Sequence, residues 1–358
     1  MENQLSRKKA PFDSPLPGKL GTSPLVCGLA GLFKAAVRVR NSAFDTIPLL
    51  SYKAQRPVIS IGGIRAGGTG KTPVAQFVGQ YLTQRGYEIA FLSRGYGRVS
   101  RKPVLVKPGE QACWEETGDE PAQLHSNLPH SWLGIGADRV GNARRLAPLL
   151  SPKAVFVLDD GFQHRKIRRD LDIVCLHEQI FHDRLIPAGY LREPVESLSR
   201  AKLFVLVGSE EKLEELRAVK ASLESRFSSS QCSILLQKPS GWVEAKSGRI
   251  CDEAPMKSPR VVCAIARPQR FVEMVRSAGM EPAEVKCFED HHVFQRDDLT
   301  GKQDIYSEGI MTTEKDFMRL RSLKIAGWPD LWYLKLKLRF ADDESETKFE
   351  SVIRTSLP

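Results

Sequence analysis

The segment GGIRAGGTGKTP, residues 62–73, combines the residue types that bind phosphate. An apolar run precedes its glycines, and a helical pattern begins at Lys71 and Thr72. Such a loop directs successive backbone N–H groups at a phosphate, beside the positive end of a helix. The spacing predicts that Lys71 reaches the β- and γ-phosphates and that the Thr72 hydroxyl binds Mg²⁺. We therefore predict a nucleoside triphosphate site.

This loop departs from the common pattern G-x-x-x-x-G-K-[ST]. That pattern has a glycine six positions before the lysine, where this chain has Arg65. The loop is closer to the GGxGK[ST] form of another branch of P-loop NTPases, many of which carry a lysine where Ala66 stands. We expect the phosphate cradle to consist of the residues directly before the lysine, which are Gly67, Gly68, Thr69 and Gly70.

Two adjacent carboxylates, Asp159 and Asp160, follow the apolar run at 154–158. The carboxyl ends of strands line the edge of an α/β sheet where ligands bind. One carboxylate could hold Mg²⁺ and the other orient a neighbour. A DDG turn taken alone is more often structural, because Asp and Gly both favour turns. Because the chain also contains a P-loop, the interpretation as a metal site is favoured over a purely structural turn.

Three further clusters contain candidate catalytic groups, but each has an ordinary structural explanation. In GDEP (118–121), the first acid could cap a helix. The Arg-Glu pair of LREP (191–194) could be a surface ion pair. The histidines after Asp290 could be satisfied structural side chains.

Short apolar runs alternate with helical patterns from residue 57 onward, which predicts a mainly parallel sheet with helices on both faces. We expect an α/β protein with a P-loop NTPase-type three-layer α/β/α domain at 57–230, after a basic N-terminal segment at 1–56. Strand-like runs on either side of Pro239-Ser240-Gly241 predict a β-hairpin connector. The connector and a second, smaller α/β domain would occupy 231–358.

The composition excludes a disordered chain, a collagen-like fibre and a disulfide mini-protein, because 41% of the 358 residues are apolar. The net charge of +10 indicates an anionic partner, and more than half of the excess lies before residue 61. Seven scattered cysteines without a C-x-x-C pair predict reduced thiols in a cytoplasmic setting.

The apolar run at 24–33 is too short to span a membrane. An amphipathic helix at the membrane surface would turn Leu29, Leu32, Phe33 and Val37 toward lipid and its cations toward head groups. A helix packed on its own domain explains the same pattern. Both interpretations remain open at this point.

Ten motifs, taken in order from about residue 30 to residue 320, resemble the tetraacyldisaccharide 4′-kinase family. They are RNSAFD (40–45), PVISIGGIRAGGTGKTP (57–73), SRGYGR (93–98), GDEP (118–121), GADR (136–139), LDDGFQH (158–164), LIPAGYLREP (185–194), AIARPQRF (264–271), FEDHHVF (288–294) and MTTEKD (311–316). Many members have Asn where this chain has Gly63, and Arg65 also departs from the family.

The resemblance implies an ATP- and Mg²⁺-dependent kinase of lipid A biosynthesis, with two α/β/α domains joined by a short β connector. Its acceptor would be the 4′-hydroxyl of a tetraacylated glucosamine disaccharide 1-phosphate. It would work at the cytoplasmic face of the bacterial inner membrane, as a peripheral or N-terminally anchored protein. Its partners would be ATP, the lipid A disaccharide precursor and the anionic membrane surface, and not nucleic acid.

The resemblance also implies residue roles. Asp119 and His291 would form a catalytic dyad, and because they lie in different predicted domains, those domains would have to close. Lys71 would bind ATP and act in catalysis. The remaining implied groups are Arg139 and Arg192 as active-site arginines, Thr72, Asp159, Asp160 and Glu193 at the metal, and Arg94 and Tyr96 as substrate contacts.

A P-loop NTPase switch or metallochaperone is the alternative function. The GGTGKT segment suits it, but such proteins generally need metal-binding cysteines or histidines. Consumption of the lipid acceptor, rather than hydrolysis of ATP alone, separates the two functions.

Overall fold

The computed structural model describes residues 23–300, 308–323 and 330–358. The predicted basic segment at 1–56 therefore lies partly outside the described residues. Helices in the described part are α1 (Pro24–Thr46), α2 (Lys71–Gln84), α3 (Trp114–Thr117), α4 (Asp119–Asn127), α5 (Arg139–Leu146), α6 (Leu213–Arg226), α7 (Pro268–Ser277), α8 (Arg296–Leu299), α9 (Glu314–Leu320) and α10 (Asp343–Ser356). Short 3₁₀ turns occur at Pro48–Leu50, Ala147–Leu149, Ile180–His182, Val195–Arg200, Glu210–Lys212 and Arg321–Leu323.

The strands are β1 (Val58–Gly62), β2 (Glu88–Ser93), β3 (Val104–Val106), β4 (Trp132–Ile135), β5 (Ala154–Asp159), β6 (Leu171–Leu176), β7 (Leu203–Gly208), β8 (Gln231–Glu244), β9 (Ile250–Cys251), β10 (Arg260–Cys263), β11 (Glu284–Cys287), β12 (Ile310–Thr313) and β13 (Leu331–Phe340). They form one sheet in the order β11-β10-β12-β13-β8-β7-β6-β1-β5-β2-β4-β3, with β9 paired to β8. Strands β7, β6, β1, β5, β2 and β4 are mutually parallel, as are β11, β10, β12 and β13. The predicted parallel sheet is confirmed.

Helices cover both faces of the first half of the sheet. Ile59 of β1 packs in one cluster with Val74 of α2 and Phe349 of α10. Its neighbour Val58 packs in another cluster with Leu146 of α5. Successive strand side chains point to opposite faces, so this division shows the three layers of the P-loop half.

The predicted β-hairpin is present, but its turn lies further along the chain than predicted. Strand β8 continues through Pro239-Ser240-Gly241, and its hairpin with β9 turns at residues 245–249. Antiparallel pairing with β13 keeps this stretch extended. A register shift between Leu334 and Leu336 lies beside Pro239, which has no N–H to donate to the ladder.

The C-terminal helix α10 is an element that the sequence patterns did not indicate. Its Phe349 ring lies 5.6 Å from the Phe77 ring and 5.2 Å from the Tyr81 ring, both on α2, in edge-to-face geometry. The chain therefore returns to the P-loop half after completing the second half. The limits 57–230 and 231–358 stay predictions.

Helix α1 differs in orientation from the helix predicted for the membrane surface. Leu25, Leu29 and Leu32 are exposed and form a stripe on one face, but Val37 is only 5% exposed. The expectation that Val37 faces lipid is wrong, because this side chain packs against the protein; Phe33 is half-buried. In residues 23–300, 308–323 and 330–358, no helix has the length and hydropathy to cross a bilayer.

Candidate active site

The loop between β1 and α2 has a backbone that only glycines adopt easily. Gly67, Gly68 and Gly70 have φ values of +70°, +53° and +73°. A Cβ atom at Gly70 would also lie 3.2 Å from the Val207 side chain. Glycine is required for both reasons. Lys71 is the first residue of α2, so it follows the loop at the positive end of that helix.

The unusual Arg65 has a structural role beside this loop. Its Nε donates to Asp183 Oδ2 at 2.8 Å, and its guanidinium lies 4.6 Å from the centre of the Tyr190 ring. Ala66 N also donates to Tyr190 O at 2.9 Å. These contacts join the start of the loop to the segment at 183–191, so the arginine supports the loop instead of forming part of the phosphate cradle.

Asp160 forms an ion-paired cluster beside the loop. The Arg192 guanidinium donates to both of its carboxylate oxygens, at 2.8 and 2.7 Å, and also to Gly63 O at 2.9 Å. Lys71 Nζ lies 3.9 Å from Asp160 Oδ1, and Arg139 donates to the Asp160 carbonyl at 3.0 Å. Burial would raise the pKa of Asp160, but these cations outweigh it and lower the pKa to about 2. Asp160 therefore fixes Arg139 and Arg192 by hydrogen bonds and lies within a longer electrostatic contact of Lys71.

Asp159 has the opposite electrostatic character. Its side chain is 3% exposed, Ser93 Oγ donates to its Oδ2 at 3.2 Å, and its Oδ1 has no hydrogen-bond partner among the described residues. Burial, together with the charges of Glu120 and Asp160, raises the pKa of Asp159 to about 7. An unpaired, buried carboxylate oxygen at a strand end is suited to a cation.

The structure also brings in Glu120, which the sequence interpretation did not assign to the site. Thr72 Oγ1 donates to Glu120 Oε2 at 2.9 Å. Glu120 lies in the first turn of α4. The signal was present in the GDEP motif, but nothing in the sequence showed which of its two acids would meet the P-loop.

The predicted dyad is assembled across the two halves of the sheet. His291 Nδ1 lies 2.9 Å from Asp119 Oδ2, and Asp119 is 2% exposed. The Tyr96 ring meets the imidazole edge-on at 5.1 Å. A Cβ atom at Gly97 would lie 3.3 Å from His291 Nδ1, and Gly97 also has a φ of +74°, so glycine is required there.

Asp119 is held as a carboxylate. Burial would raise its pKa, but the hydrogen bond with His291 and the charges of Lys315 and Arg319 lower it below the ordinary value. Arg319 Nε lies 3.6 Å from Asp119 Oδ2. Each of these pKa-lowering groups comes from the second half of the chain, so the ionised state of Asp119 depends on the contact between the halves.

Two other predicted site residues have different surroundings: Glu193 pairs with α1, whereas Arg94 neighbours the Asp160 cluster through Arg139. Glu193 is fully buried, and its oxygens accept from Arg40 at 3.1 Å, Asn41 at 2.8 Å and Arg200 at 2.9 Å. Its carboxylate therefore anchors α1 and is not offered to a metal ion at Thr72. Arg94 is exposed and has Arg139 as a charged neighbour.

A P-loop after β1, a buried aspartate at the end of the neighbouring strand β5 and an adjacent carboxylate–imidazole pair define a P-loop phosphotransferase. The sequence profile of the tetraacyldisaccharide-1-P 4′-kinases matches residues 22–357, and the chain belongs to that family. The predicted assignment as an ATP-dependent kinase of lipid A biosynthesis is confirmed. The switch or metallochaperone alternative is not favoured.

Individual relatives agree with this assignment. A tetraacyldisaccharide 4′-kinase of Chlorobium limicola is 32% identical over 90% of this chain and 95% of its own length. One of Anaeromyxobacter dehalogenans is 36% identical over 87% of this chain and 85% of its own. A solved structure of LpxK from Aquifex aeolicus in complex with ATP is similar with a TM-score of 0.77 and 27% identity, over 93% of this chain and 99% of that one.

Proposed function

We propose that Asp119 removes the proton from the 4′-hydroxyl of the acylated disaccharide 1-phosphate while the P-loop holds ATP for in-line transfer. The observation that carries this proposal is the 2.9 Å contact between Asp119 Oδ2 and His291 Nδ1. The hydrogen bond from Thr72 to Glu120, the next residue in the chain, brings this carboxylate close to the P-loop. Phosphoryl transfer needs positioning, charge neutralisation and a base. His291 fixes the carboxylate that accepts the proton.

The donor phosphates would lie on the loop glycines and the start of α2. Among the residues that the structure describes, Lys71 Nζ has only long contacts, 3.4 Å to Thr69 Oγ1 and 3.9 Å to Asp160 Oδ1. A lysine held this loosely can turn to a phosphate without breaking a strong ion pair. Arg139 and Arg192 add positive charge on the Asp160 side of the loop.

Thr72 and Asp159 fit a magnesium ion. Asp159 Oδ1 is a buried oxygen without a partner in the described part of the chain, and Thr72 supplies a hydroxyl oxygen at the start of α2. Magnesium is usually bound through one or two protein oxygens together with substrate phosphates and water. Bound there, it would neutralise charge on the transferring phosphates.

The lipid acceptor would approach along α1. Leu25, Leu29, Leu32 and Val39 are 75%, 47%, 71% and 71% exposed, and helical spacing places them on one face. This stripe suits the boundary of an anionic bilayer, and the proposed location is the cytoplasmic face of the bacterial inner membrane. On this basis the net charge of +10 serves anionic lipid and anionic substrates, and nucleic acid is not a partner.

Phosphate transfer from labelled ATP to the acceptor in detergent micelles tests the mechanism. We expect Lys71→Ala and Asp119→Asn each to reduce the rate at least about 100-fold, as loss of a transition-state group does. Asp298→Asn is the matched control. Its oxygen lies 2.9 Å from His292 Nε2, which repeats the Asp119–His291 geometry within the second half.

The control should retain activity within about threefold, because the Asp298 carboxylate contacts His292 and the backbone of Gln295, which have no role in the proposed transfer. Transfer at the wild-type rate by Asp119→Asn would refute the assignment of the base. ATP hydrolysis without phosphorylation of the lipid by the wild-type protein would refute the proposed function itself.

A further inference from the structure

We propose that Lys315 is a positioning residue that holds Asp119 and His291 in their reactive arrangement. This inference rests on the proposed function, because it deepens the account of the same site. The MTTEKD motif that contains Lys315 had no assigned role in the interpretation of the sequence.

Lys315 bridges the immediate neighbours of both members of the pair. Its Nζ lies 3.1 Å from Asp290 Oδ1, and Asp290 precedes His291 in the chain. The same Nζ lies 3.4 Å from Glu120 Oε1, and Glu120 follows Asp119. The Lys315 side chain is 18% exposed, so water screens these contacts only in part. One cation therefore fixes the two chain segments that must meet.

The backbone at His291 needs such a restraint. Its φ of +64° lies in the left-handed region, which a side chain other than glycine adopts only when its surroundings hold it there. The ion pair between Asp290 and Lys315 acts on the residue directly before this strained position. His291 Nε2 is also 3.9 Å from Asp290 Oδ2. A displacement of Asp290 would therefore change the negative charge that the imidazole has next to it.

Lys315 is itself held firmly, because both of its neighbours on α9 are anchored. Glu314 accepts hydrogen bonds from Gln123 at 2.7 Å and from Asn127 at 2.9 Å, both on α4. Asp316 accepts from Thr313 Oγ1 at 2.7 Å and from Ala264 N at 3.0 Å. Helix α9 is thus fastened to the helix that begins with Asp119, and Lys315 extends from that junction.

The test compares Lys315→Met with Lys315→Arg in the lipid phosphorylation assay. We expect Lys315→Met to reduce kcat about 10- to 100-fold, since a displacement of about 1 Å in a catalytic group has an effect of that size. The KM for ATP should change less than kcat does, because Lys315 reaches Thr72 of the ATP site only indirectly, through Glu120. Lys315→Arg keeps the charge and should recover part of kcat.

A double-mutant cycle shows whether Lys315 acts through the base. If it does, Lys315→Met should reduce the residual rate of Asp119→Asn less than about threefold. Asp290→Asn removes the other end of the bridge without deleting the lysine and should reproduce the loss in kcat. Lys348→Met is the matched control, since this lysine contacts Glu224 and Glu344, at 2.6 Å each, away from the site.

Equal losses from Lys315→Met with and without the Asp119 carboxylate would overturn the proposal, and so would a change confined to the KM for ATP. Either result leaves the proposed function intact, because the wild-type protein still phosphorylates the lipid. If the wild-type protein does not phosphorylate the lipid, the proposed function is refuted, and the Lys315 proposal, which rests on it, is refuted with it. If Lys315→Met does not fold, Asp290→Asn and Lys315→Arg decide the matter by the same kcat comparison.

Discussion

Replacing Glu193 by alanine should destabilise the protein strongly and loosen α1. The carboxylate is fully buried and accepts three hydrogen bonds, two of them from the arginines Arg40 and Arg200. Its removal leaves the Arg200 side chain, which is 14% exposed, without its carboxylate partner. Removing one member of a buried ion pair typically costs about 3–5 kcal/mol.

This energy converts to a measurable change in Tm. Unfolding entropy is about 2.1 cal/mol/K per residue, so a chain of 358 residues has about 0.75 kcal/mol/K. A loss of about 3–5 kcal/mol therefore lowers Tm by about 4–7 °C. Thermal unfolding followed by circular dichroism measures it, and limited proteolysis within residues 24–46 reports whether α1 has come loose.

Glu196→Gln is the matched control because it also removes a carboxylate that contacts α1. Glu196 pairs with Lys34 at 3.3 Å and Arg38 at 3.4 Å, but its side chain is 62% exposed. Screened surface pairs contribute about 0–1 kcal/mol, so Tm should change by about 1 °C or less. An unchanged Tm in Glu193→Ala, together with a raised Mg²⁺ requirement, would refute our reasoning and restore Glu193 as a metal residue.

Two further predictions concern the metal side of the site and the membrane face. Because the pKa of Asp159 is raised to about 7 in the folded chain, its burial removes stability as pH rises from about 4 to 7. Asp159→Asn should be inactive, because it removes the proposed magnesium ligand. In urea titrations without Mg²⁺, its gain in stability over wild type should be about 3 kcal/mol larger at pH 8 than at pH 5, since wild type loses about 1.4 kcal/mol for each pH unit between pH 5 and the pKa of about 7. An identical pH dependence in both proteins contradicts this. Leu29→Ser combined with Leu32→Ser should weaken sedimentation with anionic phospholipid vesicles at least about tenfold, because each exposed leucine contributes about 1.5–3 kcal/mol when buried. Leu149→Ser, at a leucine that is 52% exposed outside α1, should leave vesicle binding unchanged; equal binding by all three proteins would exclude the α1 face as the lipid contact.

The P-loop and the strand ending in Asp159 could be predicted because their chemistry is local. The glycines at 67, 68 and 70 precede Lys71 directly, and their positive φ values follow from the turn that joins β1 to α2. The same holds for the strand at 154–159, a run of buried residues followed by carboxylates. Such features depend on neighbours within a few positions in the chain.

Other predictions went wrong where distant parts of the chain decide the outcome. The turn expected at 239–241 is absent because β13, almost 100 positions later, pairs with β8 and keeps it extended. Val37 is turned inward rather than toward lipid because Asn41 and Arg40, on the same helix, are held by Glu193. No pattern within α1 shows which of its faces meets that buried carboxylate.

The kind of chemistry can be inferred from the amino-acid sequence: a lysine and a threonine after glycines for phosphate, paired carboxylates at a strand end, and a second set of acids and histidines. Which of these groups meet depends on the three-dimensional packing of the chain. Asp119 and His291 are separated by 172 positions and touch because α9 docks on α4. Glu193, which shares a motif with Arg192, serves α1 instead of the metal side. Residue types and their spacing indicate which chemistry is possible, but contacts between distant segments depend on how all the packed faces fit together.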